Sequence, residues 1–423
     1  MKGVPQASSI NPALIPDVEL YIGLPGLSSH YSGLSNNGFA YNDLLRKDPS
    51  GGFYWDEDNM LGSLNNDNLL EGVMQHEWLA FGIRTGNNFF SFSASENILA
   101  TFSYPRDLMI LLLKGNDHFS QQQEVADLSG IGLDATHYRQ LAFGYARDWD
   151  QVFTLGLRAK MLFGLGNVSF ERSHLVMDTH LQGYDVGVDA DIIMNTSLPV
   201  SFIPLDSAGS GQNADFGSWN YLGNQRNFGF ALDMGLSWKP INELILAVSV
   251  IDLGHIDWRS EVENFSVKGT YEFQGISLQE LFEEEDPFAN TLDSITDIFN
   301  VEETTLGYRT TLPTKLNLSA GYDLNAHHHL GALIRGTIYH GRLYPAYTLS
   351  YNYSPMEMLG FSLAWSVINN NFLNLGAGMK VNMGPVQFYL AGDNFLGLVQ
   401  PHAAQSANVH LGLNLIFGNI SEE

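Results

Sequence analysis

A two-residue alternation of apolar and polar side chains recurs along this chain and constrains its fold more than any other feature. In residues 153–163, 228–238, 315–323, 371–383 and 408–417, every second residue is apolar, and the residues between are mostly Gly, polar or charged. Successive side chains of a β-strand point to opposite sides of the sheet. Each segment is therefore predicted to be a strand with one apolar face and one polar, Gly-rich face.

Three properties of these strands favour a transmembrane barrel over a soluble β-sandwich, whose strands also alternate. The strands reach about ten residues, which is the length that crosses a bilayer at a tilt. Their polar faces carry Gly and isolated ions rather than the dense Lys and Glu of a solvated surface. Aromatic residues collect at strand ends, where membrane barrels have interfacial girdles: Trp149, Trp238, Trp258, Tyr344, Tyr351 and Tyr353.

The composition excludes several other classes of protein. With 44% apolar residues among 423, the chain is not disordered, and its formal charge of −26 opposes binding to nucleic acid. The absence of Cys excludes disulfides and thiolate metal sites. No apolar run approaches the roughly 18–20 residues of a membrane helix. The first residues lack the apolar core of a signal peptide, so we expect a mature chain in the bacterial outer membrane, with its signal peptide removed.

The alternation predicts an all-β fold, an antiparallel transmembrane barrel of fourteen strands with short turns on one side and long loops on the other. Strands 152–177 and 243–275 are longer than a bilayer requires and should project beyond its outer surface. Segment 181–196 is either an extracellular hairpin arm or a further spanning strand, which would make the count sixteen. The fourteen strands are predicted near residues 18–24, 74–84, 88–103, 136–147, 152–177, 227–239, 243–275, 312–323, 327–339, 343–353, 357–367, 371–381, 385–394 and 408–417.

The domain organisation follows from these strands. Residues 1–17 are predicted to form a short segment of the plug or hatch type, residues 18–417 the barrel, and residues 418–423 a C-terminal tail. Much of the negative charge is expected in the extracellular loops, where calcium binding stays open. These long loops are predicted near residues 25–73, 104–135, 178–226, 276–311 and 395–407.

Short helices are predicted within two of the extracellular loops. Ser277 and Glu280 form a capping box ahead of an apolar stretch. A second helix is predicted to start at Pro105 and to end before Gly115, because Pro suits the first turn of a helix and Gly its end. Its apolar residues either belong to a greasy entry site for a ligand or pack against neighbouring loops; they include Leu108, Leu111 and Leu112.

Basic side chains on the polar strand faces are the candidate ligand-binding residues of the lumen. A carboxylate on a hydrophobic ligand would bind an inward-facing Arg or Lys beside an apolar pocket. The alternative is that these cations pair with inward-facing carboxylates and brace a filled barrel. Arg158 and Lys160 share one strand face and are the first candidates. By alternation, the inward-facing cations are Arg158, Lys160, Lys315, Arg335 and Lys380.

The run Asn11-Pro12-Ala13-Leu14-Ile15, followed by the first strand, resembles the N-terminal segment of the FadL-type long-chain fatty acid transporters. This resemblance implies a fourteen-stranded outer-membrane barrel with an N-terminal hatch inside it and a hydrophobic lateral exit. Asn11, Pro12 and Ala13 are the residues that would belong to the hatch motif.

Four further segments extend the resemblance along the chain. They are Tyr21-Ile22-Gly23-Leu24-Pro25, Ser35-Asn36-Asn37-Gly38-Phe39, Phe102-Ser103-Tyr104-Pro105 and Asp134-Ala135-Thr136-His137-Tyr138-Arg139. They look like an uncharacterised outer-membrane family of Bacteroidota that is related to FadL and to the cargo-receiving barrel of type IX secretion. This resemblance implies the architecture and the outer-membrane location.

The sequence predicts no enzyme, because it lacks the motifs of a nucleophilic serine hydrolase, a zinc protease or a P-loop. No cofactor and no metal site is predicted. Asp56-Glu57-Asp58-Asn59 fails as an EF-hand, since the sixth and twelfth loop positions are Leu61 and Asp67.

Two functions are consistent with these observations. The first is an outer-membrane barrel, in contact with membrane lipid, that binds or passes a hydrophobic, fatty-acid-like molecule. The second is a barrel subunit that does not transport and instead takes part in a secretion, assembly or surface-protein complex.

Overall fold

The computed structural model of the protein describes residues 3–47, 52–179, 185–199, 219–274, 301–368, 371–394 and 405–419. Within these ranges the chain forms mainly β-strands, with a few short helices. The strands are β1 (Val18–Gly23), β2 (Ser29–Asn36), β3 (Leu45–Lys47), β4 (Phe53–Trp55), β5 (Asp67–Thr85), β6 (Asn88–Pro105), β7 (Ala126–Asp127), β8 (Gly132–Trp149), β9 (Phe153–Thr179), β10 (Asp185–Ser197), β11 (Asn227–Ile241), β12 (Leu244–Trp258), β13 (Val262–Gln274), β14 (Glu302–Thr304), β15 (Tyr308–Thr311), β16 (Thr314–Asn325), β17 (His328–Tyr339), β18 (Arg342–Met356), β19 (Leu359–Ile368), β20 (Asn371–Met383), β21 (Val386–Gly392) and β22 (Ser406–Asn419). The helices are a 3-10 helix at Pro5–Ser9 and the α-helices α1 (Tyr41–Leu44), α2 (Glu57–Ser63), α3 (Arg106–Lys114), α4 (Asp117–Gln122) and α5 (Trp219–Leu222).

The strands close into a 14-strand antiparallel barrel, which confirms the predicted fold. β1 closes the barrel because it pairs with both β22 and β5. β2 lies between the same two neighbours, so β1 and β2 form one barrel strand that is interrupted at residues 24–28. β15 and β16 likewise share one position beside β12. The segment 25–73, predicted as a loop, therefore contains β2 and the first part of β5.

Short turns join the strands on one side of the barrel, which we call the inner rim; the other side, with the longer connections, is the outer rim. Gly86 and Gly384 lie in inner-rim turns with φ of 57° and 59°. Glycine adopts this left-handed conformation without the steric cost of a Cβ, which permits the tight connection.

The apolar face of each strand forms the exterior of the barrel. On β9, Leu155 and Leu157 are 43% and 41% exposed, whereas the alternate residue Lys160 is only 4% exposed. Water would disfavour such a belt, but the hydrocarbon of a bilayer accommodates it. The barrel is therefore of the outer-membrane type.

Long strands extend the sheet beyond the outer rim. The outer half of β9 pairs with β10, and β10 pairs with β13 along its whole length. The described part of segment 181–196, which begins at Asp185, therefore belongs to this extension, and the barrel keeps fourteen strands. The prediction of one strand over 243–275 is wrong, because Glu261, at φ 54°, turns the chain between β12 and β13. β13 leaves the barrel wall at this turn and pairs with β10 instead.

The predicted helix after Pro105 is confirmed as α3, which Pro105 precedes as the N-terminal cap and Gly115 ends at φ 72°. The predicted capping box of Ser277 and Glu280 lies outside the described residues, as does most of the loop near 395–407. In the described part of the chain, no helix combines the length and apolar character needed to cross a membrane.

Candidate functional site

The lumen contains a cavity of about 2600 Å³. Its lining includes Asp150 and Lys239 at the inner rim and Asp134 and Arg342 at the outer rim. Ser, Thr, Asn, Gln and Gly are the most numerous of the remaining lining residues, followed by apolar side chains and scattered ions. One cavity thus extends between the two rims.

The N-terminal segment, residues 3–17, lies inside the barrel and narrows this cavity. Asn317 on β16 donates from Nδ2 to the carbonyl oxygen of Ile10 at 3.1 Å. Gln6 and Asn414 on β22 exchange two side-chain hydrogen bonds, at 2.9 and 3.0 Å. Because β16 and β22 lie on different sides of the wall, the segment is bound across the lumen.

The predicted motif Asn11, Pro12 and Ala13 lies against the wall formed by β9, β11 and β12. Asn11 is 2% exposed; its Nδ2 donates to the carbonyl oxygen of Val248 at 3.1 Å, and its Oδ1 accepts from the Ala13 amide at 2.8 Å. A Cβ at Gly156 on β9 would collide with the backbone of Pro12. The Gly-rich inward face predicted from the sequence therefore makes room for the segment at this position.

Three of the predicted lumen cations form a buried ion cluster, which comprises Arg158, Lys160, Asp233, Asp252 and Lys315. Lys160 Nζ lies 2.8 Å from Asp233 Oδ2 and 2.5 Å from Asp252 Oδ1. Lys315 Nζ lies 2.7 Å from Asp252 Oδ2, and Arg158 Nη1 lies 3.7 Å from Asp233 Oδ2. These groups are mostly shielded from water, so each charge depends on its partners.

The ion cluster also binds the N-terminal segment. Arg158 Nη2 donates to the carbonyl oxygen of Ser8 at 3.0 Å and lies 3.2 Å from the Ser8 hydroxyl. Ser249, on β12, donates from its hydroxyl to the Ile10 carbonyl at 2.7 Å. The wall of β9 and β12 therefore binds the carbonyl groups of Ser8 and Ile10 in the segment.

Asp252 is a central member of this cluster that the alternation does not predict. Leu253, its neighbour, is 49% exposed on the barrel exterior, and the register of β11 against β12 shifts beside Asp252. Asp252 has φ 61°, which is typical of a β-bulge that inserts an extra residue into one strand. The bulge brings Asp252 onto the inward face. A two-residue alternation continued from the preceding residues would place it on the outward face instead.

The other two predicted cations lie elsewhere in the lumen. Arg335, on β17, lines the cavity and donates from Nε to Asn317 Oδ1 at 2.9 Å; among the described residues its guanidinium forms no ion pair. A Cβ at Gly3 would lie 2.6 Å from Lys380 Nζ, which places Lys380 beside the start of the N-terminal segment. Arg335 is therefore the predicted cation that faces the cavity with no carboxylate of the described residues within ion-pair distance.

The apolar helix residues Leu108, Leu111 and Leu112 do not line the lumen cavity. Leu108 packs against the buried cluster that includes Met60 of α2, and Leu111 against the cluster that includes Phe119 of α4. Leu112 is 68% exposed. Two of the three thus pack against neighbouring loops, which was the second of the two interpretations.

Within the described ranges, no group of three or more His, Asp and Glu side chains is arranged to hold a metal ion. The lumen presents charged and hydrogen-bonding side chains around its cavity.

The sequence model of a family of unknown function (DUF5723) matches residues 12–393, and the chain belongs to this family. No curated protein sequence matches it. The relation to a Bacteroidota family and to the type IX secretion barrel stays a prediction.

Several solved structures are similar to this chain. The toluene transporter TodX of Pseudomonas putida is 10% identical, with a TM-score of 0.43, over 98% of this chain and 93% of that chain. The toluene transporter TbuX of Ralstonia pickettii is 9% identical, with a TM-score of 0.46, over 99% of this chain and 98% of that chain. A FadL homologue of Pseudomonas aeruginosa is 12% identical, with a TM-score of 0.44, over 100% of this chain and 95% of that chain.

Proposed function

We propose that this barrel admits a fatty-acid-like molecule, an apolar chain with a carboxylate, and passes it across the outer membrane. The observation that carries the proposal is the cavity of about 2600 Å³ between the two rims, with the guanidinium of Arg335 at its wall. A barrel braced by a filled core would have no such space.

Arg335 is the group that binds the ligand carboxylate in this proposal. Its Nε is held by Asn317, which leaves the outer edge of the guanidinium for a second acceptor. Arg binds carboxylates through two parallel hydrogen bonds, and such bonds are stronger than neutral ones. Leu333, two residues before Arg335 on the same strand face, also lines the cavity and offers apolar contact to the chain of the ligand.

The ion cluster and the N-terminal segment have a different role in this proposal. Arg158, Lys160 and Lys315 are already paired with Asp233 and Asp252, so they do not bind the ligand in this proposal. Arg158 also holds the segment through the Ser8 carbonyl. The segment narrows the inner end of the cavity and retains the ligand there.

The proposal is tested by titrating palmitate into the purified barrel in amphipol. Replacing Arg335→Gln should weaken binding by roughly 10-fold or more, because a hydrogen bond to a charged group contributes about 1.5–3 kcal/mol. Arg259→Gln is the matched control, since Arg259 pairs with Asp257 on the exposed outer surface. Equal binding by the wild type and Arg335→Gln would contradict the assignment, and no binding by the wild type would contradict the function.

A second function, as a partner subunit of a surface complex, is favoured by the extension of β9, β10 and β13 beyond the outer rim. Thirteen register pairs join β10 to β13, so the extension is a regular sheet rather than a loose loop. Purification from native membranes in mild detergent tests this function. A stoichiometric partner that is lost when β10, residues 185–197, is replaced by a short Gly-Ser linker would support it, whereas a monomer alone would contradict it.

A further inference from the structure

Four ionisable side chains form a row on the exterior of the barrel, which we call the exterior row: His30, His76, Glu96 and Arg139. They are direct neighbours in the register of four adjacent strands, since His30 is opposite His76, His76 opposite Glu96, and Glu96 opposite Arg139. The four residues therefore lie at one level of the wall, spaced by about 4.8 Å from strand to strand.

The alternation places this row outside the lumen. Ser95, Asn97, Tyr138 and Gln140 line the cavity, and they flank Glu96 and Arg139 on the opposite strand faces. Below Glu96 on the same exterior face, Phe92 packs against Phe143 with ring centroids 5.0 Å apart.

The depth of the row follows from its distance along the strands from the inner rim. Arg139 is ten residues from Trp149, the inner-rim end of β8. About ten residues of a tilted strand cross the hydrocarbon layer, so Arg139 reaches the level of the lipid headgroups in the outer leaflet. Trp78, which lies beneath the guanidinium of Arg139 at 5.1 Å and is 46% exposed, is a residue typical of this interface.

Arg139 is held in position by the protein. Its Nη1 donates to the carbonyl oxygen of Leu222 in α5 at 3.1 Å, and its Nη2 lies 3.4 Å from Glu96 Oε2. Glu96 is held in turn by His137 at 2.7 Å, and His137 contacts the hydroxyl of Tyr221 at 2.8 Å.

Tyr221 keeps its proton within this network, because burial raises the pKa of its hydroxyl to about 12. The network leaves part of Arg139 accessible. The side chain of Arg139 remains 30% exposed to the exterior.

The two histidines supply hydrogen-bond donors at the other end of the row. Their Nδ1 atoms lie 3.4 Å apart. In a hydrogen bond between two Nδ1 atoms, the accepting ring carries its hydrogen on Nε2. At least one Nε2–H of this pair is thus a donor toward the exterior, where the described residues offer it no acceptor.

We propose that the exterior row binds the phosphate of a lipid headgroup in the outer leaflet. An Arg on a Trp face, together with a His Nε2–H, provides positive charge and donors at the depth where lipid phosphates lie. This site is separate from the lumen, so it does not depend on the proposed transport.

The test compares two lipids that differ only in the phosphate: phosphatidic acid and the diacylglycerol with the same chains. Native mass spectrometry of the full barrel should retain phosphatidic acid about tenfold more than diacylglycerol. Arg139→Gln should abolish this preference, because Gln keeps a donor for Leu222 but loses the charge. Arg147→Gln should preserve it, since Arg147 lies over Trp149 on the same strand at the inner rim.

Three outcomes would overturn the proposal. They are equal retention of both lipids by the wild type, undiminished preference in folded Arg139→Gln, and displacement of phosphatidic acid by an equal concentration of inorganic phosphate. The last outcome would identify a site for free phosphate rather than for a lipid. The comparison of the two lipids on the wild type decides the question even where Arg139→Gln does not fold, as judged by its heat-dependent migration on a gel.

Discussion

Two parts of the barrel wall have the same strand alternation but differ in what their inward faces contact. On β9, β11 and β12 the inward face meets the N-terminal segment, and it carries Gly156 under Pro12 and the buried ion cluster. On β17, β18 and β19 it meets the cavity, where Arg335, Thr348 and Ser366 line open space. We call these parts the clasping wall and the open wall.

The difference shows which properties of the wall the two-residue alternation determines and which it does not. In both walls the outward face is apolar, because both face lipid. The inward residues of the clasping wall must match a particular backbone, so their size and charge are constrained individually. The inward residues of the open wall contact a polar cavity, and any small polar side chain suits that position. Substitutions of inward-facing residues should therefore reduce the stability of the barrel more in the clasping wall than in the open wall.

The largest effect is expected for Asp252→Asn in the clasping wall. It removes one of the two carboxylates that neutralise Lys160 and Lys315, and breaking a buried ion pair costs about 3–5 kcal/mol. Urea unfolding of the barrel in lipid should show this loss. Asp67→Asn is the control, because the Asp67–Arg342 pair is exposed and should contribute at most about 1 kcal/mol. Equal losses of stability in Asp252→Asn and Asp67→Asn would contradict the account.

A smaller effect is expected for Gly156→Ala. The new Cβ would collide with the backbone of Pro12, and overpacking of this kind typically costs about 1–3 kcal/mol. The displaced segment should also raise the conductance of the barrel in a planar bilayer. Gly321→Ala on β16 has no atom within 4 Å of the new Cβ, so it should leave both the stability and the conductance unchanged. A similar conductance for the two variants would show that the segment does not narrow the lumen.

Asn11→Ala should cost about 1–2 kcal/mol, because the side chain makes hydrogen bonds to the Val248 carbonyl and from the Ala13 amide in a buried position. Hydrogen exchange should report faster exchange of the Ala13 amide. Ser9→Ala, whose hydroxyl donates to the Gln6 carbonyl at an exposed position, should have little effect. Faster exchange in Ser9→Ala but not in Asn11→Ala would contradict the assignment.

The smallest effect concerns the outer extension above the clasping wall. Hydrogen bonds from Arg172 lower the pKa of Asp191 on β10. A lowered carboxyl pKa stabilises the folded state above the ordinary value of about 3.9 and loses that contribution as the pH falls through the lowered pKa. The protection factors of the β10 amides, which are exchange rates relative to the intrinsic rate at the same pH, should thus stay high at neutral pH and fall only in acid, whereas Asp191→Asn should lower them already at pH 7. A fall near neutral pH in the wild type would contradict this.

The fold was predictable because lipid on one side and a polar lumen on the other impose a strict period of two. Residues 153–163 and 408–417 follow it except at the buried residues Leu162 and Ile416, and both segments belong to barrel strands. The prediction of one strand over 243–275 fails because the chain turns at Glu261 and changes its partner from the barrel wall to β10. The three consecutive polar residues Arg259, Ser260 and Glu261 interrupt the alternation at this turn.

The candidate site was predictable only in part. Alternation identifies Arg158, Lys160 and Arg335 as inward-facing, but it does not distinguish the cations that pair from the one that faces the cavity. That distinction depends on Asp252, which a bulge brings inward, and bulges leave the apolar pattern nearly unchanged. The sequence does contain a signal for the exterior row, because Glu96 and Arg139 interrupt apolar strand faces.

The central claim is that the lumen passes a fatty-acid-like molecule whose carboxylate binds Arg335. The most direct measurement is the entry of palmitate into proteoliposomes that contain the wild-type barrel or Arg335→Gln, with empty vesicles as the background. The account predicts entry above background for the wild type and a loss of roughly 10-fold for Arg335→Gln at low palmitate concentration. Equal entry with both proteins, or entry no faster than in empty vesicles, would contradict it.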